Sequence, residues 1–380
     1  MNATPKKTAA PRRAAAATIA DVARHAGVSP MTVSRVVNGE AAVKASTRER
    51  VQAAIAALHY KPNPAARHLA GSELMRIGVL HGSARSGYLA EFLVGVMDQA
   101  SLSHAQLVVQ QCTDPAARPA EVRSLVAGGI DGLILPPPLC DEQALLDVAA
   151  AANVPTVVVG AGLPDQRADA VNIDDYQAAF TMTRHLVALG HQRVGFIGGN
   201  PQQTASSCRL SGFRDAMAQA GLPLPGELMV PGFFNYRSGL DGAEALLALE
   251  PRPTAIFACN DDMAAATVAV AHRLGLDVPG DLTVVGCDDT AIATTIWPEL
   301  TTIRQPITEM ARAAVNLLVR HVRALRAGTQ EAPQQDRVPF ELVRRQSDAA
   351  PRQRPAVRVA ELATAAAPAN PGTARARRRS

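Results

Sequence analysis

Residues 27–38 read GVSPMTVSRVVN. Gly27 closes one short helical pattern, IADVARHA, and Ser29 followed by Pro30 opens another. Serine accepts hydrogen bonds from first-turn amides, and a proline there loses nothing, because its missing N–H would have had no intrahelical acceptor. Val28, Val33 and Val36 keep an apolar rhythm of helical period, whereas Thr32, Ser34 and Arg35 make the other side polar. A helix meant for a core would be apolar at those positions. Two short helices joined by a tight glycine turn, the second polar outward, form the pattern that places a helix in the major groove of DNA. There an arginine can read guanine bidentately, and hydroxyls suit bases or phosphates.

Outward from this stretch, Thr18 and Asp21 form a capping pair for the first helix, and Ser46 with Glu49 a capping box for STRERVQAAIAAL. In HYKPNPAARHLAG, Asn63 and Pro64 start one more brief helix that Gly71 ends. At two turns it is marginal by itself.

Charge supports a polyanion partner for this head. The chain carries +4 overall, yet residues 1–17 are +4, residues 18–71 again +4, and residues 344–380 hold nine arginines against Asp348 and Glu361. That leaves residues 72–343 at −11. A basic head on an acidic body points to nucleic acid for the head alone. Residues 1–17 and 344–380, rich in Ala, Pro and Arg without periodicity, are expected to be disordered basic tails. The second lacks leucine heptads, so no C-terminal coiled coil is expected.

At 380 residues and 47% hydrophobic content, two or three domains are expected. No apolar run reaches the roughly 18 residues that span a bilayer, and MNATPKKTAAPRRAAAA lacks the continuous apolar core of a secretory signal. A cytoplasmic, nucleoid-associated protein without membrane contact is expected. Five scattered cysteines without CxxC argue against zinc or a disulfide framework.

From Arg76 apolar runs alternate with helical segments: IGVL, QLVVQQ, DGLILP and PTVVVG, then RVGFIGG, ELMVPG, TAIFAC and LTVVGC, each pair separated by a helical pattern. Such alternation means doubly wound parallel sheets with helices on both faces, here in two lobes. Enzyme chemistry is missing from it. Gly160 and Gly162 begin a dinucleotide fingerprint, but Asp165 stands at the third glycine; GxSxG, HExxH and a phosphate loop are absent. His191, after HLVALG, reads as a helix C-terminal cap. No cofactor and no metal are expected. Ligands of such folds sit outside the carboxyl ends of the strands. The strand ends here carry Asn260, Asp261 and Asp262, then Asp288 and Asp289, while Arg209 opens a helix in SSCRLSGF. Carboxylate, amide and guanidinium together suit the hydroxyls of a small polar ligand, with Phe234 or Trp297 to cover an apolar face. Asp262 and Asp289 also read simply as helix caps.

TIADVARHAGVSPMTVSRVVNG followed by STRERVQAAIAALHYKPNPAARHLAG resembles the N-terminal domain of LacI/GalR transcriptional regulators. The resemblance implies a small all-α helix-turn-helix domain over 18–62, a hinge helix over 63–71, and a two-lobed periplasmic-binding-protein-like domain over 72–343 that binds effector and dimerises. It implies base contacts from Pro30, Met31 and Arg35, and backbone contacts from Thr18, Thr32, Ser34 and Asn38. Asn63 begins the hinge helix, and Leu69 matches the leucine wedged into the minor groove. In the body, Arg209, Asn260, Asp288 and Gln305 match effector-binding positions and Phe234 falls near a stacking one. Where lactose-type regulators carry a sugar-binding aspartate, this chain has Gly160, so the identity of the sugar does not transfer. The expected protein is a homodimeric repressor of carbohydrate-uptake or catabolism genes, released from operator DNA by a sugar-type effector. Corepression by a purine is the alternative. A periplasmic-type binding protein and a sugar-metabolising enzyme are the rival classes.

Overall fold

The computed structural model describes residues 17–37, 43–58, 60, 74–82 and 86–352. They fall into two units divided between Leu74 and Met75. The expected hinge helix, with Asn63 and Leu69, and also Asn38, lie outside the described residues.

The first unit holds α1 (Ile19–Ala26), α2 (Pro30–Val37) and α3 (Ala45–Ala57). Thr18 and Asp21 cap α1 reciprocally: Asp21 N donates to Thr18 Oγ1 at 3.3 Å and Thr18 N to Asp21 Oδ2 at 3.0 Å. Gly27 ends α1 in the left-handed conformation at φ 62°, where a Cβ would be strained. Thr32 N donates to Ser29 Oγ at 3.2 Å, which starts α2. The expected capping box at Ser46 is corrected. α3 begins one residue earlier, at Ala45, because Ala45 extends the helix readily and Lys44 O accepts from Thr47 N and Arg48 N at 3.0 Å each. Val22, Ala26, Val33, Val36, Val51 and Ala54 form the small core. Arg50 pins α3 to the turn, donating to Ala26 O at 2.7 Å and Gly27 O at 3.2 Å.

The second unit contains two six-stranded sheets. The first uses β1 (Arg76–His81), β2 (Gln106–Gln111), β3 (Gly132–Leu135), β4 (Thr156–Val159), β5 (Asp169–Asn172) and β11 (Gln335–Arg337) in the order β11-β5-β4-β3-β1-β2, all parallel. The second uses β6 (Val194–Ile197), β7 (Met229–Val230), β8 (Ala255–Ala258), β9 (Thr283–Asp288), β10 (Thr301–Arg304) and β12 (Glu341–Val343) in the order β12-β10-β9-β8-β6-β7, parallel except for the β10–β12 pair. Central strands are buried on both faces, which explains their unbroken Val/Ile/Leu runs.

The intervening helices are α4 (Gly87–Leu102), α5 (Arg118–Ala127), α6 (Gln143–Ala151), α7 (Asp175–Ala188), α8 (Thr204–Gln219), α9 (Tyr236–Leu247), α10 (Asp261–Arg273), α11 (Ile292–Thr295) and α12 (Ile307–Arg326). The chain passes between the lobes three times, at 173–174, 305–306 and 338–340. After β10 in the second sheet, α12 packs on β3, β4 and β5 of the first.

The expected boundary at 343 falls short. Residues 344–352 are ordered against the second lobe: Val284 N donates to Ser347 O at 2.9 Å, Asp348 Oδ2 meets His185 Nε2 at 2.7 Å, and Thr301 Oγ1 donates to Asp348 Oδ1. The polar side chains that made this stretch look like a tail are partners of buried polar groups. His191 likewise does not cap a helix through its ring, which bridges Thr254 Oγ1 and Ala349 O at 2.9 Å each.

Candidate functional site

The carboxyl ends of β6, β8, β9 and β10 open into a cleft between the two lobes, as parallel sheets require. The cleft holds a cavity of about 520 Å³, and Arg209, Phe234, Asn260, Asp288 and Gln305 all line it. The five residues expected to grip an effector are thus brought together. Trp297 is not among the lining residues and is 74% exposed, whereas Phe234 lines the cavity together with Tyr88, Phe233 and Tyr236.

Arg209 does not open its helix but lies in the second turn of α8. Its Nε donates to Asp175 Oδ1 at 2.8 Å, one Nη donates to Cys259 O, and the same Nη lies 3.9 Å from Asp288 Oδ1. The guanidinium carbon stands 5.7 Å from the Phe234 ring centre. Asp288 Oδ1 accepts from Gln305 Nε2 at 2.7 Å. Asn260 uses its Oδ1 to cap α10, accepting from Met263 N at 3.0 Å, and its Nδ2 donates to Phe234 O at 3.3 Å. Phe234 and Asp288 have φ of 53° and 121°, a strain that surrounding contacts must hold. Gly199 makes room for the Phe234 ring: a Cβ there would come within 2.1 Å of it.

Burial pushes the Asp288 carboxyl up to about 7, although Arg209 and Gln305 pull it down. Burial also raises Asp175, against the pull of Arg209, and raises Asp262, which lines the cavity as well. Asp261 is not among the lining residues and ties the start of α10 to the loop after β9 and to β10, accepting from Thr290 N at 2.9 Å and Thr302 Oγ1 at 2.6 Å. Asp289 pairs with Arg304 at 2.7 Å and Arg345 at 2.5 Å, so it joins the C-terminal segment rather than capping a helix. Asp175, Tyr88, Pro137 and Arg118 are site residues that sequence reasoning missed. Asp175 follows the short strand β5, whose half-polar sequence does not announce a strand; Tyr88 and Pro137 had only their places after β1 and β3.

On the first unit, Thr18, Pro30, Met31 and Arg35 are exposed, while Thr32 and Ser34 are half-buried. The Thr32 hydroxyl lies 2.9 Å from Ser29 Oγ. Val33 and Val36 turn inward, so the opposite side of α2 faces outward as a reading helix must. Among the described residues no cluster of His, Cys, Asp or Glu is arranged to hold a metal ion, and no helix is long and apolar enough to cross a membrane.

Residues 18–63 match the family described as bacterial regulatory proteins, lacI family, and residues 183–347 match a periplasmic binding protein-like domain. The HTH-type transcriptional repressor PurR of Haemophilus influenzae is 32% identical over 333 residues, 87% of this chain and 98% of that protein. The chain belongs to the lacI family. The ribose operon repressor of Haemophilus influenzae, another member, is 31% identical over 81% of this chain and 92% of its own length. Among solved structures, the lac repressor dimer bound to operator and the anti-inducer ONPF superposes with a TM-score of 0.70 at 31% identity, covering 88% of this chain and 99% of that one. This lacI-family protein is a DNA-binding transcriptional regulator with a helix-turn-helix head and a two-lobed α/β body of parallel sheets.

Proposed function

We propose that the protein is a cytoplasmic, homodimeric repressor that leaves its operator when a sugar or sugar derivative enters the cleft. The observation that carries the sugar reading is the cavity floor, where Arg209, Asp288, Gln305 and Asn260 converge beneath Phe234. A guanidinium donates in a fixed fork and a carboxylate accepts from vicinal hydroxyls, while an aromatic face covers the C–H side of a sugar ring. The polar groups of the site are held by one another and by backbone atoms, which supports reading it as one for ligand binding.

On the DNA side, Arg35 reads a base edge, Pro30 and Met31 make apolar base contacts, and Thr18, Thr32, Ser34 and Asn38 hold the backbone. Asn63 begins a hinge helix and Leu69 wedges the minor groove. Lobe closure around the effector shifts the start of the body and so the hinge, and the coupling is reciprocal.

The relative PurR, a repressor by its name, keeps a purine corepressor as the second reading. Thermal melts of the full chain with pentoses, hexoses, disaccharides and purines separate the two, because a ligand of the native state raises the melting temperature. A sugar hit that also releases operator DNA in a gel-shift assay supports induction. A purine hit that tightens operator binding replaces it with corepression.

A further inference from the structure

Among the described residues, the charged side chains lining the cavity are Arg118, Arg209, Asp262 and Asp288. Both guanidiniums are matched by carboxylates outside that lining. Arg118 pairs with Glu142 and Arg209 with Asp175, the latter at 2.8 Å, while Arg209 stands 3.9 Å from Asp288. Asp262 takes no hydrogen bond and no ion pair from any described residue, and burial alone pushes its carboxyl up. The cavity therefore holds more negative charge than positive. Burial without a counter-cation favours the neutral acid, whereas a ligand cation placed beside Asp262 restores its charge.

Aromatic rings give a second, independent sign of the same ligand chemistry. Phe233 and Tyr236 line the cavity yet are 55% and 42% exposed, so neither ring is a core packing group. They belong to the turn that opens α9, which is fixed by bonds from Phe233 N to Ser238 Oγ at 3.0 Å and from Ser238 N to Asn235 Oδ1 at 2.9 Å. This turn lies against the start of α10. Asn260 Nδ2 donates to Phe234 O at 3.3 Å, and Ser238 Oγ lies 3.6 Å from Met263 Sδ. Asp262 sits in the chain between those two contacts, so a carboxylate without a partner and two half-open rings share one end of the cavity. The face of an aromatic ring is negative and attracts an ammonium group, as does a carboxylate.

Building on the sugar reading above, we propose that the effector is a cationic sugar derivative, an amino sugar, whose ammonium group lies against the Asp262 carboxylate and the rings of Phe233 and Tyr236. Its hydroxyls are left to Arg209, Asp288 and Gln305. Asp262 then sets the class of ligand, because the ammonium supplies the counter-charge that the protein does not. A sugar phosphate or sugar acid would place a further negative charge beside Asp262 and Asp288 and is rejected.

The test uses the full chain at about pH 6.5, where an aliphatic amine is protonated. D-glucosamine and D-galactosamine are compared with D-glucose, D-galactose and the uncharged N-acetyl forms, by melting temperature and then by titration calorimetry. The proposal expects one amine to bind at least roughly tenfold more tightly than both of its neutral counterparts. Asp262→Asn keeps the shape and removes the charge; it should weaken that amine roughly tenfold and the neutral sugars far less. Should Asp262→Asn fail to fold, Phe233→Leu takes its place: it removes an exposed ring and should weaken the amine severalfold while sparing the neutral sugars. An equal loss for charged and neutral sugars in the folded variant overturns the proposal, because the residue would then only shape the cavity. A hexose or N-acetyl sugar that binds the wild type as tightly as the amine overturns it and leaves the sugar reading standing. If no sugar of either kind shifts the wild type, the sugar reading fails and this proposal fails with it.

Discussion

Asp141 and Thr204 join the two lobes across the mouth of the cleft. Asp141 ends the 3-10 turn Leu139–Asp141 that follows β3 in the first lobe, and Thr204 is the first residue of α8 in the second. Asp141 Oδ1 accepts from Thr204 Oγ1 at 2.6 Å and Oδ2 accepts from Thr204 N at 3.1 Å, so one lobe caps a helix of the other. The carboxylate also suits the positive end of that helix.

Replacing Asp141 by Ala should therefore act on closure more than on folding. Loss of the two bonds costs about 1–2 kcal/mol, a fall of about 2–4 °C in the melting temperature of a body this size. Effector affinity should fall severalfold and operator release with it. Calorimetric titration beside differential scanning tests this; a variant that binds effector like the wild type would show the latch to be idle.

The Asp288 carboxyl, raised to about 7 by burial, makes two quantities run in opposite directions with pH. A folded pKa above the unfolded one stabilises the protein fully below the unfolded value, and that contribution is lost as pH rises through about 7. Effector-free protein should thus melt higher at pH 6 than at pH 8. Sugar hydroxyls that donate to Asp288 favour its ionised form, so effector affinity should rise with pH and level off above about 7. In Asp288→Asn both trends should flatten; matched slopes in that variant and the wild type would assign the pH dependence elsewhere.

Asp348 behaves in the reverse sense. Burial opposes its charge, but the bonds from His185 and Thr301 prevail and its carboxyl is lowered. Its contribution is present above the ordinary carboxylate value of 3.8 and is lost as pH falls through the lowered one. A chain ending at Val343 should lose several degrees of melting temperature at neutral pH, because Thr301, His185 and Val284 lose their partners Ser347 and Asp348. A chain ending at Arg352 keeps all of these bonds. Equal melting of the two truncations would contradict the ordered role of 344–352.

Arg50 and Arg35 separate architecture from reading in the head. Arg50→Ala removes the bonds that hold α3 to the Ala26–Gly27 turn; it should cost about 1–2 kcal/mol of unit stability and weaken binding to every DNA sequence alike. Arg35→Ala should leave the fold intact and relax discrimination at one operator position by about 1–3 kcal/mol. Competition gel shifts with single-base operator variants distinguish these patterns, and an Arg35→Ala protein with unchanged discrimination would remove that residue from base reading.

Much of this was legible in the residues. The buried strands β1, β3, β4, β8 and β9 are short unbroken apolar runs, and the floor of the cleft follows them directly in sequence at Asn260 and Asp288. β11 was not legible, since QDR is a three-residue, fully exposed edge strand with no apolar residue to betray it. β5 hides for another reason: DAVN is buried although half polar, its Asp169 paired to His321 at 2.8 Å. α12 was readable and missed, for Ile307, Met310, Ala314, Val315, Leu318 and Val322 repeat at helical spacing. The first-lobe wall was out of reach, because Tyr88, Pro137 and Gly160 meet only once β1, β3 and β4 lie side by side.

The late passages of the chain between the lobes set an order of assembly. β3, β4 and β5 leave the ribosome early, yet the helix that covers them ends at Arg326 and their last sheet neighbour is 335–337. Until synthesis has passed Arg337, the first lobe must wait with that apolar face bare. A message cut short before that point yields no half-working regulator, only a sticky fragment for chaperones and proteases to clear.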